Sequence, residues 1–101
     1  MLIIPIDVNA HVKMLIIDRY TYDYFGSLQI VGVLTSEVVT IEQPIVDNPS
    51  ESNNAHWTPI KSDGVTWQLT ANNTAFTIPG RMIIRVNKPA SGGNAFGVSY
   101  A

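Results

Sequence analysis

What most constrains this chain is the shortness of its uninterrupted segments. Turn-forming residues punctuate it at brief intervals: Asp7 and Asn9, Phe25-Gly26-Ser27, the stretch 47–54, Ser62-Asp63-Gly64, Ala71-Asn72-Asn73, Pro79-Gly80 and the stretch 90–94. Between them Val, Ile and Thr are frequent, and β-branched side chains favour a pleated, half-buried surface over a helix. Several short apolar runs at this spacing predict one all-β domain over residues 1–101. The expected form is a β-sandwich, jelly-roll or immunoglobulin-like, of about eight antiparallel strands.

Parity supports the strands. Val65, Trp67 and Leu69 are apolar while Thr66, Gln68 and Thr70 are polar, the period of a half-buried strand, so Trp67 is expected to face inward with its two neighbours. Phe76 and Ile78 alternate with Thr77, Val39 and Ile41 with Thr40 and Glu42, and Phe96, Val98 and Tyr100 with Gly97 and Ser99. Met82, Ile84 and Val86 share one face against Arg81, Arg85 and Asn87. The two arginines therefore belong on an outward face, solvated or paired with Glu42. Asp63-Gly64 reads as a hairpin turn and Pro79-Gly80 as a type II turn. Pro44 and Pro59 lack a ladder donor and belong at strand ends or sheet edges. Residues 47–54 read as an exposed polar loop.

Two runs do not alternate. Residues 14–17 and 28–34 are apolar on both faces, as suits strands covered on both sides by a second sheet or another subunit. Charged residues make up only 14% of the chain, against about a quarter in ordinary soluble domains. With residues 1–6 also uncharged, the deficit predicts that the N-terminal third is the buried or subunit-facing part and the later hairpins the outward part.

Composition narrows function by exclusion. Six Lys plus Arg stand against eight Asp plus Glu with no basic run, so no nucleic-acid partner is expected, because phosphate neutralisation needs clustered cations. The apolar N-terminus stops at Asp7, too short for a signal core or a membrane span. The chain is expected to be soluble as made, with no membrane partner. No cysteine is present, which removes thiolate nucleophiles, thiolate zinc sites and disulfides together.

The remaining candidates are few. His11 and His56 stand without a nucleophile motif and read as surface histidines, so no catalytic residue and no enzyme activity is expected. Asp47, Asn48, Glu51, Asn53 and Asn54 could offer oxygens to calcium. They lack the glycine and terminal glutamate of a calcium loop and read as turn formers, so no metal or other cofactor is expected. Trp57 and Trp67 read as anchors in or near the core. In an extended segment Tyr20, Tyr22 and Tyr24 point to one side. Three readings stay open for them: an aromatic ladder within the domain, a subunit interface, or a sugar-stacking face.

One stretch is familiar. After a strand near Val38 come Trp57-Thr58-Pro59, then Ser62-Asp63-Gly64-Val65, then Pro79-Gly80-Arg81 with an Arg-alternating strand, then a Gly-Gly loop and a last strand. This order resembles small β-sandwich virion auxiliary proteins of tailed bacteriophages, of the capsid-decoration or head-fibre type. The resemblance implies a non-enzymatic structural protein located in the virion. Such a subunit stabilises by association with further copies of itself, as a homo-oligomer, and with the major capsid or another virion protein. The partner interface is expected at Leu2, Ile3, Ile4 and Ile6, which could add to a neighbouring sheet edge or lie in the chain's own sheet, together with Tyr20, Tyr22 and Tyr24. The alternative expectation is a carbohydrate- or receptor-binding module that uses the tyrosines and the loop 47–54.

Overall fold

The computed structural model describes residues 1–17 and 26–101. Tyr20, Tyr22 and Tyr24 lie outside the described residues. The chain is all-β, and every paired strand is antiparallel. The strands are β1 (Leu2–Asp7), β2 (His11–Ile17), β3 (Gly26–Gly32), β4 (Val39–Pro44), β5 (Trp57–Pro59), β6 (Lys61–Ser62), β7 (Val65–Thr66), β8 (Gln68–Leu69), β9 (Ala75–Ile78), β10 (Met82–Lys88) and β11 (Phe96–Tyr100).

Eight of them make two four-stranded layers, ordered β1-β11-β3-β9 and β2-β10-β4-β5, with β8 as a second short partner of β4. The pairs β4·β5, β3·β9, β2·β10 and β1·β11 are nested one outside the next. A single long antiparallel hairpin, rolled up so that β10 meets β4 and β11 meets β3, produces this order. It is the jelly roll; an immunoglobulin-like sandwich would keep its early strands as neighbours within a sheet. Rolling also explains why successive long strands mostly pass from one layer to the other.

The inner faces meet in one core. Ile4, Leu28, Ile30, Ile78, Phe96 and Val98 come from the first sheet, and Ile17, Val39, Ile41, Leu69, Ile84 and Val86 from the second. The alternations at 39–41, 82–86 and 96–98 carry through. The alternation at 65–69 breaks. Leu69 is buried and Trp67 packs on the core against Phe76, their ring centroids 4.9 Å apart, but Val65 is 67% exposed. The reason is topological: β7 leaves the sandwich to pair with β6 in a two-stranded ribbon, while β8 returns to β4. The ribbon turns on Asp63 (φ 53°) and Gly64 (φ 79°), positive φ at both central positions as a type I′ hairpin requires.

Of the expectation that the N-terminal third is the buried or subunit-facing part, burial holds for β3, which carries Leu28 and Ile30 into the core, and not for β1 and β2 as whole strands. The interior strands are β11 and β3 in the first sheet and β10 and β4 in the second, and β1 and β2 are edges. The last strand is inserted between β1 and β3, so burial follows the roll rather than chain position. This insertion is tight. A Cβ on Gly97 of β11 would stand 2.4 Å from the Ile4 carbonyl oxygen, so only glycine lets β1 close over β11.

Candidate functional site

The outward face of the second sheet holds the most unusual chemistry of the molecule. Its rows follow from register. Met14 of β2 lies opposite Arg85 of β10, which lies opposite Glu42 of β4; Ile16 lies opposite Ile83. The parity of β10 points Arg85 to this face, and of the two expected arrangements, solvated or paired with Glu42, the structure has the pair. Arg85 is 1% exposed, and Glu42 beside it is buried too.

The loop 45–56, between β4 and β5, is what covers them. Several of its polar residues make contacts within the molecule. The Asn53 side chain accepts from the Ala55 N–H at 3.1 Å, capping the 3₁₀ turn Asn54–His56. The Ser50 N–H donates to His56 Nδ1 at 3.0 Å, and Trp57 Nε1 donates to the Ser50 carbonyl at 2.9 Å. So folded, the loop crosses the face. Arg85 Nη1 donates to the Glu51 carbonyl (3.0 Å) and to Asn54 Oδ1 (2.9 Å), and Arg85 Nε to Glu42 Oε1 (2.7 Å). The guanidinium also lies 5.5 Å from the Trp57 ring centroid, within cation–π range. At the far side the Glu51 carboxylate accepts the Met14 N–H at 2.8 Å. The loop is exposed over most of residues 47–54, as expected, and it is at the same time a strap over a buried ion pair. His56 and Asn53 hold the strap's shape, while Glu51 and Asn54 fasten it.

Beyond the strap the face is open and apolar. Ile16 is 71% exposed beside the partly exposed Ile83. Two shallow hollows flank this pair. One of about 340 Å³ is lined by Ile16, Ile17, Arg81, Met82 and Ile83; one of about 320 Å³ is lined by Met14, Ile16, Asn48, Pro49 and Ile83. The run 14–17, apolar on both faces, is thus covered by the core on one side only among the described residues. Comparison with protein-family models, with curated proteins and with solved structures gives no match.

A second polar cluster closes the end of the sandwich at the β1–β2 turn. Lys88 continues the inward parity of Met82, Ile84 and Val86 and is fully buried. Its Nζ reaches the Asp7 carbonyl (3.2 Å), the Asn9 carbonyl and Asp7 Oδ1 (3.5 Å), and lies 4.5 Å from the Phe96 ring centroid. His11 Nε2 sits 2.8 Å from Asp7 Oδ2. The Asp7 carboxyl is held below the usual carboxylate range, first by the His11 hydrogen bond; the Asn9 N–H and the charges of His11 and Lys88 add to this against the raising effect of burial. His11 therefore fastens a turn, as His56 fastens the strap.

The other predicted interface residues divide. β1 pairs with β11 of its own chain. Ile4 lies in the core and Ile3 packs against it, whereas Leu2 and Ile6 are half exposed. Of the four predicted residues, these last two are the ones that a partner can reach. The arginine pair separates as well: Arg85 is locked under the strap, while Arg81 lines the open hollow. The burial of Lys88 was readable from parity. That of Arg85 was not, because it depends on where a loop distant in sequence comes to rest.

Proposed function

We propose that this chain is a non-enzymatic structural subunit that acts by association, an auxiliary component of a tailed-phage particle such as a capsid decoration protein. The observation that carries the reading is the open apolar face around Ile16 and Ile83, beside the buried pair of Arg85 and Glu42. Contiguous exposed apolar surface on a small domain marks interaction sites. The order of motifs from Trp57 to the last strand adds the virion context, and the jelly roll is a fold that capsid domains share with lectins and cupins, so the fold alone does not decide the role. Several copies would cover their apolar faces against one another and against the shell.

Light scattering on the full chain, followed by mass spectrometry of phage particles purified from the source of the gene, tests this. The expected result is a concentration-dependent oligomer and stoichiometric presence of the chain in particles. A stable monomer that is missing from the particles overturns the reading. Because Ile4 is a core residue, deleting residues 1–6 would damage the fold as well as any contact. Leu2→Asp and Ile6→Asp, at half-exposed positions, test the β1 surface cleanly.

A further inference from the structure

The outer strands of the two sandwich layers, β1, β9, β2 and β5, are not alike. β1 contains Pro5 and two register shifts against β11. β5 has three residues and ends in Pro59, and β9 has four and runs into Pro79. Short length, proline and bulges are three of the devices by which edges avoid pairing. β2 has none of these three: it runs seven residues without proline in unbroken register with β10 from His11 to Ile17, and its guards are one charge, Lys13, and the Glu51 carboxylate on the Met14 N–H.

The direction of its backbone groups follows from the ladder. The Ile41 N–H and carbonyl both point away from β10, to the Trp67 carbonyl (2.9 Å) and the Ile60 N–H (3.0 Å). Its neighbour Glu42 therefore turns toward β10, and Arg85, opposite Glu42, turns toward β4. Met14, opposite Arg85, must then turn its N–H out of the sheet. It does so, since that N–H is the one Glu51 Oε2 accepts. By the same alternation Val12 and Ile16 also present their backbone groups outward. The Glu51 carboxylate stands where the carbonyl of a fifth strand would stand.

We infer that β2 is a self-pairing edge, at which two copies of this chain join antiparallel about a two-fold axis through Met14 once Glu51 swings aside. The inference rests on the association reading above and names its partner. This register uses all seven residues of the strand. It sets Met14 against Met14 and Val12 against Ile16 of the second copy, each such pair exchanging two backbone hydrogen bonds. Lys13 then faces Leu15, and His11 faces Ile17, so no like charges oppose across the join. Lys13 is the one Lys, Arg, Asp or Glu on the strand, and a register centred on it, which would stack two of them, is disfavoured. Pairing covers Ile16 with Val12 of the other copy and makes one eight-stranded sheet out of two. A closed two-fold contact of this kind ends at the dimer.

Sedimentation velocity on the full chain over a concentration series is the test. Wild type is expected to dimerise. Ile16→Lys, at an exposed position, places a charge on the edge and should weaken the dimer roughly tenfold or more. Met14→Pro removes an N–H that no ladder bond within the chain uses and should leave a folded monomer. Glu51→Ala frees the Met14 N–H and should tighten the dimer severalfold, since Arg85 is held by the Glu51 backbone carbonyl and not by its carboxylate. A chain that is monomeric throughout, or a dimer indifferent to both Ile16→Lys and Met14→Pro, overturns the inference. So does a monomer that binds phage particles through β2, which would name a different occupant. A dimer with the expected sensitivities, in a chain absent from particles, upholds the edge pairing and overturns the virion reading instead.

Discussion

Replacing Arg85 by Met is the sharpest probe of the strap. Methionine keeps most of the stem but removes every donor. Glu42 then keeps a buried carboxylate without its 2.7 Å partner, and the Glu51 carbonyl and Asn54 Oδ1 lose theirs. Removing one member of a buried pair costs about 3–5 kcal/mol, chiefly because the other charge is left behind. Total stability for a domain of this size is roughly 5–15 kcal/mol, so a large part of it is at stake. Urea unfolding followed by tryptophan fluorescence measures the loss, with Trp57, beneath the strap, as a local reporter. The double variant Arg85→Met with Glu42→Met separates the causes. If the orphaned carboxylate dominates, the double variant recovers most of the loss, since apolar replacement of a whole buried pair is often neutral or better. A single variant that loses less than about 1 kcal/mol, the scale of an exposed ion pair, would refute the burial argument. A double variant as unstable as the single one would refute the orphaned charge and place the cost in the unfastened strap.

Three further outcomes follow from the structure. The Glu37 carboxyl is lowered from 4.5 to about 2, first by the Thr35 N–H and its own N–H, then by the Thr35 and Ser91 hydroxyls, against the raising effect of burial. A depressed folded pKa contributes stability above the unfolded value and loses it as pH falls through the folded one. Glu37→Gln should therefore flatten the stability profile between about pH 4.5 and pH 2, measured by thermal unfolding across that window; an unchanged profile counts against the assignment. Gly97→Ala should cost about 1–3 kcal/mol as an overpacking change and speed hydrogen exchange along β1, since the added carbon meets backbone that must move. Lys88→Met should cost about 1–3 kcal/mol for acceptors left unpaired and loosen the β1–β2 turn to limited proteolysis ahead of global unfolding.

The strand faces were legible because a strand's side chains alternate wherever one side is buried. Ile84, Val86, Val98 and Leu69 sit where parity puts them. Parity extended one step further also places Lys88 inside. It fails at Val65, where the chain leaves one sheet for a separate ribbon while keeping its local alternation. No local pattern reports such a change of partner. The two histidines read as having no catalytic neighbours, and the structure shows what each holds: Asp7 in the β1–β2 turn and Ser50 in the strap.

The sequence by itself determined that this chain is β throughout, where it turns, and which side of most strands is apolar, because those properties depend on neighbours within a few residues. It left open how the strands are shared between two sheets. Tertiary structure decided that, by nesting the first strand with the last and rolling the hairpin so that β3, β4, β10 and β11 became interior and β1, β2, β5 and β9 edges. It also decided that a polar loop would close over Arg85 and Glu42 and stop at Met14, leaving Ile16 and Ile83 uncovered. The scarcity of charge was visible in the composition. Its meaning depends on which face the roll leaves open, a property of contacts between residues far apart in the chain.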